Sequence, residues 1–262
     1  MTKRKNNRIS PATMPALRDS FIEAFLSGQS IAKAINQEKL YAGAVRNFAL
    51  PFYQAELWWV TKPMTALTAS AIETFPEGVN ISEYLPNTSG LLMWAGDIGI
   101  SDGNTRVRGA LWMVVPDGLY VYPVVTDPAG PFGLATPLQP PSASTLGKLK
   151  EALIATWVLS SQPGIGVKRE EYNTVGRSSL RRLKLPKKVT IATLRELTHE
   201  ETGEPVDGDR HYSVRFLVRG HWRNQVCGPA RKMRRLTWVA PFVKGPDGAP
   251  FQKTDLVKVW KR

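Results

Sequence analysis

Residues 108–125, RGALWMVVPDGLYVYPVV, set two apolar runs, Gly109–Val115 and Leu119–Val125, on either side of Pro116-Asp117-Gly118. Proline fixes φ near its turn value and glycine accepts positive φ, so the three residues read as a tight turn. The β-branched and aromatic flanks favour extended backbone, and the segment predicts a β-hairpin. Upstream, GLLMWAGDIG at 90–99 is a further short apolar run ended by Gly and Asp. Before it the texture is helical. From Pro11, Leu17, Phe21, Ile22, Phe25 and Leu26 fall on one face, and a second helical stretch is expected from about Ser30 to Phe48. Downstream, the Pro- and Gly-rich stretch Asp127–Ser144 reads as a surface loop or flap. A helix is expected from Ser144-Thr145, with Leu146, Leu149, Leu153, Trp157 and Val158 on one face, ending between Ser160 and Gly164.

Beyond Gly164 the character changes. Residues 167–188, VKREEYNTVGRSSLRRLKLPKK, are basic and polar with no sustained apolar period, and read as a solvated connector over 165–188. After Pro186, Val189–Leu197, Tyr212–Trp222, Leu236–Val243 and Leu256–Trp260 are strand-like and separated by GEPVDGD, CGPARK and KGPDGAP. The expected fold class is therefore α+β: an N-terminal domain over 1–164, with helices and a mixed β region, then a small basic antiparallel β domain over 189–262.

The 262 residues carry a net charge of +13 and an isoelectric point near 10.0. With 42% hydrophobic residues and eight Trp the chain has the means to bury a core, so the charge points to an anionic partner rather than to disorder. No apolar run is long enough to span a bilayer and MTKRKNNRIS lacks the apolar centre of a signal peptide, so a cytoplasmic location is expected. Membrane attraction is disfavoured, because the cations do not line an amphipathic helix. The single Cys227 excludes an intrachain disulfide, and His199, His211 and His221 lack metal-ligand spacing; neither a metal nor another cofactor is expected.

The positive charge is densest in RHYSVRFLVRGHWRNQVCGPARKMRR, Arg210–Arg235, which holds seven arginines, one lysine, two histidines and no acid. If Ser213–Trp222 is extended, Arg215, Arg219, His221 and Arg223 share one face, and Val214, Phe216, Val218 and Trp222 the other. The first face is then the candidate nucleic-acid surface. Gly220 lets the backbone turn or approach a ligand, and Arg231, Lys232, Arg234 and Arg235 form a hairpin tip suited to a phosphate backbone. His221 also has the chemistry of a general base for metal-independent RNA cleavage, with His211 or Tyr212 as partner acid and Arg215, Arg219 or Arg223 as the cation. Its plainer role is a hydrogen bond to a backbone carbonyl, with Trp222 packed in the core. Whether the chain is an enzyme stays open. Asp97, Asp102, Asp117 and Asp127 sit in turn contexts that account for them without Mg²⁺. Trp58, Trp59 and Trp94 suit core packing better than a peptide-binding surface.

RGHWRNQ at 219–225, a short basic loop, and LTWVAPFVKG at 236–245 resemble the C-terminal signature of the AcrVA2-like anti-CRISPR family of phages and other mobile elements. Arg219, Gly220, His221, Trp222, Trp238 and Gly245 carry the likeness. LYAGAVRNFALPFYQAE at 40–56 and WVLSSQPGI at 157–165 extend it more loosely. The resemblance implies a regulator that recognises a target during its synthesis and lowers its mRNA, with RNA and a nascent peptide or ribosome as partners. Two alternatives stand beside it: a metal-independent ribonuclease or toxin centred on His221, and a phage DNA-binding accessory protein.

Overall fold

The structure is a computed structural model that describes residues 9–23, 55–79, 83–115, 118–126, 132–134, 142–162, 165–172, 187–194, 213–246 and 248–250. The chain divides into two compact units, Met1–Arg195 and Glu196–Arg262.

The first unit is built on a mixed sheet. Its strands are β1 (Glu56–Val60), β2 (Ser89–Trp94), β3 (Ser101–Asp102), β4 (Thr105–Val115), β5 (Gly118–Thr126), β6 (Phe132–Leu134), β7 (Ile165–Glu171) and β8 (Lys188–Leu194). They lie in the order β6-β5-β4-β2-β1-β8-β7, with β3 paired to β4. The expected hairpin is present as β4 and β5, antiparallel, with a bulge between Val107 and Gly109 that leaves Arg108 outside the ladder. The centre of the sheet is parallel: β1 pairs with β2 on one side and β8 on the other.

Helices cover both faces, which is why the central strands are apolar throughout rather than alternating. Residues 14–23 form α1, Lys62–Ile72 α2 and Ala143–Ser160 α3. Met14, Phe21 and Ile22 of α1 pack with Leu57, Trp59, Leu91, Met93, Leu111, Met113, Val189 and Ile191. The alternate residues face α2 and α3, which pack together: Trp94 Nε1 donates to Thr156 Oγ1, and Trp112 meets Trp157 edge to face at 5.2 Å. Trp112 also lies over Gly90, its cross-strand partner, where a Cβ would come within 2.2 Å of the ring. Each fully buried side chain of this size contributes about 1.5–3 kcal/mol. Ser142 caps α3 by accepting from the Thr145 amide, two residues ahead of the expected start. In α1 the buried Arg18 donates through Nε and a terminal nitrogen to Asp19 Oδ1, at 3.0 and 2.8 Å.

Several expectations change. The stretch expected as a connector supplies β7, antiparallel to β8, at the edge of the large sheet. Val189–Leu194, expected in the C-terminal antiparallel region, is β8 and runs parallel to β1, because Val189 and Ile191 belong to the α1-facing core. The division of the chain falls after Arg195 rather than across 165–188. The flap contains β6, paired with β5. β7 is a charged edge: Lys168 pairs with Glu170 and the Tyr172 hydroxyl donates to the same carboxylate. These two interactions hold the Glu170 carboxyl below its ordinary range, while burial, then Glu170, pushes Tyr172 up to about 12. The expected helix over Ser30–Phe48 and strand over Leu256–Trp260 lie outside the described residues.

Candidate nucleic-acid interface

The second unit carries β9 (Phe216–Val218), β10 (His221–Cys227), β11 (Met233–Val239) and β12 (Phe242–Lys244). β10 pairs antiparallel with β11, and β9 with β12. The run expected as one strand over Tyr212–Trp222 is thus interrupted at Arg219-Gly220, and its counterpart Leu236–Val243 at Ala240-Pro241. Proline has no N–H to give the ladder, which accounts for the break on that side.

The register nevertheless carries through the break. Val218 is opposite Phe242 before it and His221 opposite Val239 after it, so two residues are passed on each strand. The two pairs keep one register across a two-residue interruption, and the expected alternation is met within β10, where His221 and Arg223 share a face, while Arg215 precedes β9 and Arg219 lies in the interruption. His221, Arg223 and Gln225 of β10 share a face with Arg235 and Thr237 of β11, Arg223 opposite Thr237 and Gln225 opposite Arg235. His221, Arg223, Gln225 and Arg235 are exposed. Trp222 lies on the other face against its register partner Trp238, ring centroids 5.2 Å apart at 60°.

Gly220 makes its close approach to this tryptophan pair. A Cβ there would stand 2.4 Å from Cζ2 of Trp238 and 3.0 Å from Cδ of Pro241, so the glycine lets the ribbon close at its interruption. At the far end a short 3₁₀ turn, Pro229–Arg231, joins β10 to β11, with Gly228, Ala230 and Arg231 at φ of 75°, 51° and 57°. Arg231, Lys232, Arg234 and Arg235 are exposed around it. Residues 213–246 hold eight cations and no acid.

The structure separates the candidate residues by what they touch. Arg215 is half-buried; its Nε donates to the Ala249 carbonyl at 3.0 Å and its amide to the Pro250 carbonyl, so its guanidinium ties the base of the ribbon to the following turn. His221 lies 3.2 Å through Nδ1 from the Arg219 carbonyl. A carbonyl only accepts, so Nδ1 is the donor in this contact. His211 and Tyr212 lie outside the described residues. Phe242 and Val243 are exposed, which an all-apolar PFV segment did not suggest.

The other candidates resolve into structure. Asp97 accepts from the Gly99 amide and pairs with Arg106 at 2.9 Å, as a turn aspartate does. Asp117 and Asp127 lie outside the described residues, and among those described no three His, Cys, Asp or Glu side chains gather. Trp58, Trp59 and Trp94 are buried in the large sheet. Among the described residues no helix is long and apolar enough to cross a membrane.

No curated protein matches the chain. No more than a third of the chain is involved in the one family match: residues 158–244, from the last turn of α3 through β12, match the family model AcrVA2-like, the Anti-CRISPR type V subtype A2 family.

Proposed function

We propose that this protein is a mobile-element regulator of the anti-CRISPR kind whose C-terminal ribbon binds RNA, alone or in a translating complex, and so lowers expression of a target protein. The observation that carries the reading is the ribbon register: it puts His221, Arg223, Gln225 and Arg235 on one exposed face, beside a tip with four cations in five residues, Arg231–Arg235. Guanidinium and amide donors at this density suit phosphate oxygens and 2′-hydroxyls. The AcrVA2-like segment supports the anti-CRISPR context.

A second reading has its own support. With the His221 Nδ1 proton directed to the Arg219 carbonyl, Nε2 is poised to accept the proton of a 2′-hydroxyl as it attacks the adjacent phosphorus, with the Arg223 guanidinium on the same face to hold the charged phosphate oxygens. Departure of the 5′-oxygen then needs a proton from a second group.

The two readings part in one experiment. Labelled RNA transcript and duplex DNA of the same sequence are titrated over a salt series with wild type and His221→Ala, and each RNA is afterwards run on a denaturing gel. Salt-sensitive preference for RNA without cleavage is the expected result. Cleavage by wild type that His221→Ala abolishes, at near-unchanged affinity, establishes the ribonuclease instead. Equal or tighter binding to DNA favours a DNA-binding accessory protein and removes the RNA reading.

A further inference from the structure

Granted that RNA is the ligand, the ribbon also says which form of RNA it takes. We infer that the exposed face of the β10–β11 ribbon docks on a base-paired RNA stem, through its phosphates and 2′-hydroxyls, rather than on an unpaired strand through its bases.

Binding an unpaired strand without regard to sequence calls for a groove of cations and a row of aromatic rings on which successive bases stack. The ribbon sets Arg223 and Arg235 on one face and its two tryptophans on the other. Trp222 and Trp238 occupy the opposite face and are engaged with one another at 5.2 Å, and Gly220 keeps the Trp238 ring seated against the backbone. Phe242 is exposed on β12, opposite Val218 and beyond the interruption, outside the β10–β11 pairing. On the cation face of β10 and β11 the single ring is the His221 imidazole, held through Nδ1 by the Arg219 carbonyl.

What the cation face offers is a set of hydrogen-bond donors on a two-stranded support: Arg223, Gln225, Arg235 and the Thr237 hydroxyl, with Arg231 and Lys232 beyond them at the tip, while Arg234, opposite Val226, lies on the other face. β10 and β11 pair over His221–Cys227, seven residues, or about 23 Å along each strand at the usual rise. A duplex presents phosphates and 2′-hydroxyls over such a length in a fixed geometry, and paired RNA is recognised mostly by those groups and by shape. A flexible unpaired strand would lose more conformational entropy on a surface that gives its bases nothing in return.

The experiment titrates the full-length protein against a blunt RNA duplex, one of its strands alone, chosen without self-complementarity, and the DNA duplex of the same sequence. The expected result is binding to the RNA duplex about tenfold or more tighter than to the single strand. The double variant Arg223→Gln with Arg235→Gln should lose that preference while keeping the wild-type unfolding midpoint. Single-strand binding equal to or tighter than the RNA duplex overturns the inference and leaves the RNA reading standing. Tighter binding to the DNA duplex than to either RNA removes the RNA reading while retaining a duplex-binding ribbon. A Trp222→Ala variant that lost single-strand affinity at an unchanged unfolding midpoint would also count against it, since the ring would then be stacking on bases.

Discussion

Single side chains in this protein are set by what packs around them, and the tyrosines of the first unit show it in a titratable form. Tyr122 lies half-buried against the α1-facing core, opposite Leu111, and burial, then the neighbouring Tyr120, pushes its phenol from 10.0 up to about 12. A folded-state pKa raised above the unfolded value means that the folded state holds the proton more tightly. The associated stability is fully present below about pH 10 and is lost as pH rises through about 12. Ultraviolet titration of tyrosinate should therefore show a late step near pH 12 that Tyr122→Phe diminishes. Unfolding in urea at rising pH should show a smaller alkaline loss of stability in that variant than in wild type. A titration unchanged by Tyr122→Phe would mean that the phenol is not held this way.

Elements test what a sequence can disclose. The β4–β5 hairpin, α1, α3 and the alternation along the ribbon were legible, because Pro-Asp-Gly turn chemistry and apolar period are local signals. β1, α2 and the parallel placement of β8 were not. LWWV of β1 and VTIA of β8 are buried on both faces and so show no period, and nothing local to Val189–Leu194 names Glu56–Val60 as its neighbour. The role of Arg215 at the ribbon base was hidden for the same reason, its acceptor lying 34 residues away at Ala249. Gly220 was legible as special but not as to what it approaches. Its environment predicts the sign of a substitution. Gly220→Ala drives a Cβ into Trp238 at 2.4 Å and should destabilise the ribbon by about 1–3 kcal/mol, read by near-ultraviolet circular dichroism in urea. Gly147→Ala, near the start of α3 with nothing within 4 Å of the added Cβ, should stabilise the first unit by up to about 1 kcal/mol. Wild-type stability in Gly220→Ala would show that the tryptophan does not sit on that glycine.

At the scale of the whole molecule, the two units treat charge differently. The first unit answers several of its cations with acids close by, Arg18 with Asp19, Arg106 with Asp97 and Lys168 with Glu170. Residues 213–246 of the second unit contain eight cations and no acid at all, and the large buried core of the first unit includes none of them. Arg215 serves the fold through the Ala249 carbonyl, whereas the exposed cations of the tip, Arg231, Lys232, Arg234 and Arg235, repel one another, and on the proposed reading a polyanion meets them. Replacing Arg231, Lys232, Arg234 and Arg235 together by Gln should therefore leave the unfolding of the first unit where it is. The same change should flatten the dependence of log K on log salt for RNA by about 0.7–0.9 for each phosphate no longer neutralised, or about 3 if all four cations meet phosphate. Affinity at low salt should fall steeply and affinity at high salt much less, because counterion release supplies most of the low-salt affinity. A wild-type slope near zero, or a quadruple variant with the wild-type slope, would place the RNA-binding surface elsewhere in the chain.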